Sequence, residues 1–464
     1  MRSSNKMHFE ISERKVLLFA FDAIFVLSAL YFLSFFFNYH YFALEIQIIY
    51  RPIILVGYLY IFGTIFEMYN LQVASNQFQI LKSVVLSVSI TVLVYLLTPI
   101  LSPGLPKQRL IILIFYLTML LVVLLWRFFY ALFLASYRFS QNVVLICDQD
   151  QVEELVLGLE NVDPHYKIIG FVNSDCLSTT NSDFHYVKEI DKSELEDFVI
   201  KNSVSEIVIA SQKTDGITAD LYQQLLHLLE SGNIIREYTQ VYESKTQRIP
   251  VHYIARDFYR FFPFSRSNNN KLYLFLIRFI ELLFSFTGLI ICTVFIPFIF
   301  IANLIGNKGS LFYTQDRVGR NGNVFKIYKF RTMIEASETN GAVFAVFNDK
   351  RITPFGKFMR KSRIDELPQF YNILKGDMAV IGPRPERPFF VEEIARVMPF
   401  YETRHVIKPG LTGWAQVNYS YGESIDESLI KLQYDLYYIK HRSVFLDLSI
   451  TFKTITTVLF YRGQ

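Results

Sequence analysis

Five apolar stretches, each near the length a helix needs to cross a lipid bilayer, constrain this chain more than any other feature. Four come early, at about residues 16-37, 52-69, 80-101 and 110-135, and a fifth covers about 272-305. About 20 apolar residues span the hydrocarbon core as a helix, with every backbone polar group satisfied inside the segment. Residues 1-138 therefore read as a four-helix transmembrane bundle. Composition agrees: apolar residues make up 52% of the chain and charged residues 19%, and 45 Phe and 29 Tyr suit lipid-facing and interfacial surface. The second stretch is the least regular, because Glu67 lies near one end. Arg2, Lys6, Arg14 and Lys15 precede the first and place the N-terminus on the cytoplasmic side. Four crossings return the chain to that side, in agreement with Arg127 and Arg138; Lys107 and Arg109, in an outside loop, run against the rule. The first apolar run is too long for a signal-peptide core and lacks a cleavage site, so it reads as an anchor.

Residues 139-265 change character. Val143-Val144-Leu145-Ile146, Lys167 to Val172 and Glu206 to Ala210 read as buried strands, and helical patterns alternate with them near 150-160, 191-202 and 217-231. That alternation predicts a parallel α/β sheet of Rossmann-like form. The first strand runs into Cys147-Asp148-Gln149-Asp150 where a dinucleotide fold carries G-x-G-x-x-G. Without those glycines the backbone cannot approach a pyrophosphate in the usual way. A structural or regulatory role is expected for this domain, not a redox one. Cys147, Cys176 and Cys292 have no metal-ligand spacing, and Cys147 and Cys292 read as small core residues.

Residues 266-305 comprise an Asn-rich linker and the fifth apolar stretch, interrupted by Pro297. Proline removes a backbone donor and clashes with the preceding turn, so a bend is expected there. A crossing at this point would put residues 306-464 outside the cell. From hydropathy alone the stretch reads equally as a kinked but spanning helix; the charge and motifs of residues 306-464 suit a phosphorylated substrate and favour a re-entrant helical hairpin that enters one leaflet and returns.

Residues 306-464 carry the chemistry. After residue 306 there are 23 Lys and Arg against 16 Asp and Glu, a field that favours phosphates and anionic headgroups. Leu311 to Gln315 and Val324 to Arg331 flank a Gly-Arg-Asn-Gly-Asn turn and predict a hairpin. Alternation puts Lys329 and Arg331 on one face of the second strand, where two cations can hold a diphosphate; a solvated basic edge is the alternative. Thr353-Pro354 reads as a helix cap and first turn. Asp365 and Glu366 come next, at or beside the start of another helix that stops at Gly376. An Asp there is a favoured cap. Equally, a helix N-terminus and Arg360, Lys361 and Arg363 nearby would keep it ionised and able to attack phosphorus. Arg384 and Arg387, in a rigid Gly-Pro-Arg-Pro segment, offer planar contacts to phosphate oxygens. A hard divalent cation, Mg2+, would bridge the Asp365 carboxylate and phosphate. Lys408, Trp414 and Gln416 lie on a turn-rich stretch that reads either as a substrate loop or as a structural turn with Trp414 in the core. Tyr434, Tyr437, Tyr438, Phe445, Phe452 and Phe460 interleave with Lys440, Arg442 and Lys453, as on helices lying at a membrane surface, with ordinary core packing accounting for about half of them. His405 lacks a partner spacing and reads as an ordinary surface or core histidine.

Phe325 to Met333 (FKIYKFRTM), Asp365 to Gln369 (DELPQ), Gly376 to Arg387 (GDMAVIGPRPER) and Lys408 to Asn418 (KPGLTGWAQVN) resemble the bacterial sugar transferase family, the monotopic polyprenyl-phosphate glycosyl-1-phosphate transferases. The resemblance spans about 270-464, and the arrangement before it is similar to the long form used in exopolysaccharide, capsule and O-antigen synthesis. It implies that Asp365 attacks the sugar-proximal phosphate of a UDP-sugar, expels UMP, and passes the sugar phosphate to undecaprenyl phosphate. It further implies Glu366 as the second member of an acidic dyad, Lys329, Arg331, Arg363, Arg384 and Arg387 as phosphate-binding groups, Mg2+, and a membrane helix broken at Pro297. Family members often place a small polar residue before that proline, where this chain has Ile296.

The expectation is thus a membrane protein of mixed α and α/β class, comprising a bundle, a Rossmann-like domain and an α/β-hairpin catalytic domain with a re-entrant helix. It belongs on the cytoplasmic face of the bacterial inner membrane, with membrane lipids but no nucleic acid among its partners. The sugar and any homodimer stay open. A membrane scaffold or nucleotide sensor without enzymatic activity, and a lipid-diphosphate hydrolase, are the rival readings.

Overall fold

The computed structural model describes residues 11-37, 50-66, 68-69, 77-98, 101-106, 108-134, 141-160, 166-174, 187-210, 217-251, 266-306, 309-334, 349, 351-398, 400-419 and 425-459. Arg2, Lys6, Glu67, Lys107, Arg138, Cys176 and Phe460 lie outside them. The chain divides into two compact units, Met1–Thr246 and Gln247–Gln464.

In the first unit the early apolar runs form helices Ile11–Phe37, Tyr50–Ile65, Gln77–Leu97 and Arg109–Phe129, the last continuing as a π turn over Tyr130–Leu134. Three contain segments long and apolar enough to cross a membrane: Val16–Phe35, Ile80–Leu97 and Arg109–Leu132. The second does not match its expected length. It has 16 residues, about 24 Å at the helical rise, and ends where Met68 N–H bonds Gly63 O at 2.7 Å. Ser83, from the next helix, donates to the Phe66 carbonyl at 2.9 Å and secures that end. Arg127 also departs from expectation. It is no solvated flanking charge but is fully buried, 2.5 Å from Asp22 of the first helix and with its guanidinium 5.0 Å from the Tyr69 ring. A charge inside an apolar bundle is tolerated when paired.

The rest of this unit is a five-stranded parallel sheet in the order β3-β2-β1-β4-β5, with β1 Gln141–Cys147, β2 Tyr166–Asn173, β3 Lys188–Ile190, β4 Glu206–Ile209 and β5 Ile234–Glu237. Val144 and Ile146 of β1, Val172 of β2 and Ile207 of β4 pack with Leu221, Leu225 and Leu228 of helix Ala219–Glu230. Cys147 is buried in β1 as a free thiol. Where the glycine-rich loop is missing, buried Asp148 accepts from the Ser174 hydroxyl, and Glu153 and Glu154 occupy the first turn of helix Val152–Glu160. Two carboxylates at a helix N-terminus oppose a phosphate there.

In the second unit, residues 271-306 form one 36-residue helix containing Pro297. Its buried side is covered at every level by this unit. The Tyr273 hydroxyl donates to Asp447, Arg278 Nη1 and Nη2 donate to the carbonyls of Ile373 and Leu374 at 2.8 and 2.9 Å, and Cys292 and Ile299 pack with Phe330 and Met359. The outward side leaves Phe275, Phe279, Leu283, Phe286, Ile290, Val294, Phe298 and Ile305 exposed. Strands β6 Phe312–Val318 and β7 Val324–Phe330 form the expected antiparallel hairpin, turned by Asn321 and Gly322 at φ +58° and +78°. Strands β8 Ala379–Ile381 and β9 Gly410–Thr412 lie parallel. They approach so closely at Gly382 and Gly410 that a side chain on either would strike the other's backbone. The core gathers Phe390, Ile394, Tyr401, Trp414, Leu432, Tyr438 and Ile450. Tyr434 and Tyr438 are buried in the final helix pair, Ile425–His441 and Val444–Leu459, whereas Val444, Phe445 and Leu448 are exposed, Phe445 at 85%.

Candidate active site

Thr353 caps helix Pro354–Lys361, its hydroxyl accepting from Gly356 N–H at 3.0 Å, which removes one unpaired donor from the first turn. The helix ends at Ser362, and Arg363 then takes φ +58°, a left-handed conformation uncommon outside glycine. That single reversal starts the 3-10 turn Ile364–Glu366, and Pro368 leads into helix Gln369–Lys375. Ile364 and Leu367 face the apolar group of Cys292, Ile299, Phe330 and Met359, so the turn between them is fixed against the membrane helix. Asp365 and Glu366 are thereby held 7% and 8% exposed, with divergent surroundings.

Glu366 gathers cations. Its Oε1 lies 2.9 Å from Arg384 Nη2 and 3.3 Å from Lys329 Nζ, and its Oε2 lies 3.5 Å from Arg363 Nη1. Burial opposes its charge, but the joint field of Arg384, Lys329 and Arg363 outweighs burial and holds the carboxyl well below the usual range. Lys329 is affected the other way: burial, only partly offset by Glu366, brings it down to about 8. Asp365 reverses the expectation drawn from its flanking arginines. Burial, then the Glu366 charge, push its pKa up to about 6 despite Lys329, Arg360 and Arg363. Its Oδ1 is buried and, among the described residues, accepts no hydrogen bond. A buried acceptor without a donor is costly, and such an atom needs a reason to be there.

Three of the five anticipated phosphate-binding groups, Lys329, Arg363 and Arg384, therefore converge on Glu366. Arg331 is buried with its guanidinium against Gly309. Arg387 is the N-cap of helix Pro388–Val397 and lies 5.6 Å from the Phe390 ring. Lys408 is half-buried near Gly376 and Arg278. Trp414 belongs to the core, not to a substrate-facing loop: it is 3% exposed, its indole N–H donates to Gln247 O at 3.2 Å, and Lys453 Nζ sits 4.4 Å from its ring. Gln416 donates to Leu411 O at 3.4 Å within its own turn. Pro297 sits in the helix between Cys292 and Ile299, the residues that pack toward the turn holding Asp365. His405 has its pKa lowered to about 4 by burial and Arg404, which removes it as a proton carrier near neutrality.

Sequence reading missed Arg317, Arg404 and Asp435. Arg404 and Asp435 are buried and Arg317 is half-buried, and each is bonded to a segment distant in sequence; no periodicity or local spacing carries such a signal. An Asp between apolar and aromatic residues, as at Tyr434-Asp435-Leu436, is the one local hint.

No group of three or more His, Cys, Asp or Glu able to hold a metal ion occurs among the described residues. The donor set still suits Mg2+, which binds through one or two carboxylates and takes its other ligands from phosphates and water. Asp365 Oδ1, buried and without a hydrogen-bond donor among the described residues, is the carboxylate oxygen that would hold it.

Residues 272–461 match the model of the bacterial sugar transferase family. A sugar transferase of Bacillus subtilis, itself uncharacterised, is 39% identical over 180 residues, which cover 38% of this chain and 83% of that relative. The chain belongs to the bacterial sugar transferase family. A UDP-N-acetylgalactosamine-undecaprenyl-phosphate N-acetylgalactosaminephosphotransferase of Aeromonas hydrophila is 52% identical over 153 residues, 33% of this chain and 36% of that protein. Over a longer span, a galactosyl transferase of Streptococcus agalactiae is 28% identical across 348 residues, 71% of this chain and 74% of its own length. This chain thus spans about a third of the length of the Aeromonas protein. Within the family match fall Asp365, Glu366 and all three cations around them.

Proposed function

We propose that the chain transfers a sugar 1-phosphate from a UDP-sugar to undecaprenyl phosphate, releasing UMP, as a first membrane step of a surface polysaccharide. One observation carries this reading: a buried Asp365 carboxylate oxygen that accepts no hydrogen bond among the described residues, beside a Glu366 that Lys329, Arg363 and Arg384 contact. Asp365 Oδ attacks the sugar-proximal phosphorus, the bond from that phosphorus to the UMP oxygen breaks, and UMP leaves. A phosphate oxygen of the polyprenyl acceptor then attacks the same phosphorus and the carboxylate departs. Desolvation makes the Asp365 carboxylate a stronger nucleophile than it is in water. Lys329, Arg363 and Arg384 surround Glu366 with positive charge, available to a diphosphate that adds several negative ones. Mg2+, held by Asp365 and the substrate phosphates, would supply further charge neutralisation.

The helix at 271-306 is proposed to enter and leave the same leaflet, with the catalytic unit on the cytoplasmic face of the inner membrane. Support comes from its two ends: Tyr273 meets Asp447 and Gly306 meets Phe355, both in the same folded unit. A helix crossing the bilayer alone would leave its middle free of such contacts, whereas Arg278, Cys292 and Ile299 also pack on this unit. The sugar differs between the names of relatives, N-acetylgalactosamine in one and galactose in another, so it is left to experiment.

UMP release measured across a panel of UDP-sugars, with and without undecaprenyl phosphate, tests the reading. Lipid-dependent release supports it, and a sugar phosphate bound to the wild-type protein should be trapped when lipid is withheld. Free sugar phosphate formed without lipid would identify a hydrolase instead. No release with any sugar would leave the scaffold reading.

A further inference from the structure

Four consecutive main-chain carbonyls, from Pro383 to Glu386, each accept a hydrogen bond, the donors coming from three other segments of the second unit: β6, the turn Tyr401–Val406 and β9. Gly410 N–H donates to Pro383 O at 2.9 Å and Val318 N–H to Glu386 O at 2.9 Å. Between them, Arg404 Nη2 donates to Arg384 O at 3.0 Å and Arg317 Nη1 to Pro385 O at 3.0 Å. Pro383 and Pro385 have a fixed φ and no N–H, so their part of the segment can be held only through carbonyls and packing.

The two guanidiniums are themselves anchored. Arg404 is 5% exposed; its Nη2 also donates to Asp435 Oδ2 at 2.6 Å and its Nη1 to the Tyr401 hydroxyl at 2.5 Å. Arg317 Nη1 lies 3.3 Å from Glu386 Oε2, and its Nη2 donates to Gln315 Oε1 at 2.8 Å. A buried ion pair is a poor device for stability alone, since apolar side chains of similar volume do as well or better. What the Arg404 fork supplies is simultaneous aim at a carboxylate, a hydroxyl and a carbonyl, which an ammonium cannot match. The residue whose backbone it holds is the one whose side chain reaches Glu366 at 2.9 Å.

We propose that Arg404, oriented by Asp435 and Tyr401 and assisted by Arg317, is a positioning residue that fixes the Arg384 backbone so that the Arg384 guanidinium meets Glu366 and the substrate diphosphate. The last element rests on the function proposed above. Arg404 touches no reacting atom; it acts through Arg384.

The test uses the full chain in lipid nanodiscs carrying Arg404→Lys, which keeps the charge beside Asp435. Amide hydrogen exchange should accelerate about tenfold in peptides holding Gly382, Val318 and Gly410, whose N–H groups tie or flank the segment. Peptides from 369-375 should be unaffected. UMP release should fall about 10- to 100-fold, the range expected for misplacing a charged group by an ångström. In an Arg384→Ala background the same Arg404→Lys change should cost less than about twofold, because the group it positions is gone. Unchanged exchange, or losses that multiply in the double variant, would overturn the inference. Should Arg404→Lys fail to melt cooperatively, Tyr401→Phe removes only the hydroxyl that orients Arg404, and the same two readouts decide. Absence of UMP release from unsubstituted protein would defeat the function proposed above, while the exchange result would still decide the positioning role.

Discussion

Asp365 and Glu366 are adjacent in sequence, and their surroundings pull their protons in opposite directions. Glu366 is kept charged by three cations, while Asp365 is raised to about 6 by burial and by Glu366 itself. A nucleophilic Asp365 must be ionised, so kcat/KM for UMP release should fall as pH drops through about 6. Lys329, with its pKa near 8, must stay charged to hold its place beside Glu366. Activity should therefore fall again as pH rises through about 8, giving a bell-shaped profile whose two limits belong to the coupled cluster. A profile flat from pH 5 to 9 would remove this account. The same shift bears on folding. The folded chain binds the Asp365 proton more tightly than the unfolded chain, so ionisation penalises folding progressively between about pH 4 and pH 6, and the penalty persists above that. Asp365→Asn should hence abolish UMP release and at the same time stabilise the protein at pH 7 by on the order of 1–3 kcal/mol, read as a higher Tm. An active Asn variant would end the nucleophile assignment. At this scale the sequence revealed which charges gather but not on what they converge. Lys329, Arg363 and Arg384 were legible as cations near an acidic pair; that they engage Glu366 and leave Asp365 to its burial depends on side-chain direction, which spacing does not encode.

Elements with long runs were legible, and short ones were not. The apolar runs of β1, β2 and β4, the Asn-Gly turn between β6 and β7 and the Thr353-Pro354 helix start appear where the residues place them. Strands β3, β8 and β9 have three residues each, too few for alternation to register. The ion pair of Asp22 with Arg127 joins helices 105 positions apart, and in sequence Arg127 is indistinguishable from a flanking charge. The membrane helix illustrates a different limit. Its apolar content was plain, but the docking face is set by Gly288, where an added side chain would collide with the Phe370 ring of helix Gln369–Lys375. That contact fastens the membrane helix to the helix that begins three residues after Glu366. Gly288→Leu should force the two apart, lower stability by about 1–3 kcal/mol, and slow UMP release even though residue 288 touches no substrate. A variant of unchanged Tm and activity would show that the helices are not coupled through this contact.

At the scale of the whole molecule, the candidate site lies in one of two compact units. The division falls between Thr246 and Gln247, and the family match, Asp365, its cations and the membrane helix all lie after it. The sheet of the first unit ends in a closed Asp148–Ser174 contact and an acidic helix start where a nucleotide phosphate would need open amides. Among the described residues, that sheet end presents carboxylates, which oppose a phosphate. The Bacillus relative, 83% of which matches 180 residues of this chain, has too little further length for a unit the size of residues 1-246. Residues 247-464, which retain the core around Trp414 and its bond to Gln247 O, should accordingly fold in nanodiscs and release UMP within about tenfold of the full chain, as an autonomous domain does. The comparison should be made at matched lipid acceptor, with circular dichroism and a cooperative melt establishing that the shorter chain is folded. A folded but inactive 247-464 chain would mean that the first unit completes the site, and the division of labour argued from its closed sheet end would be wrong.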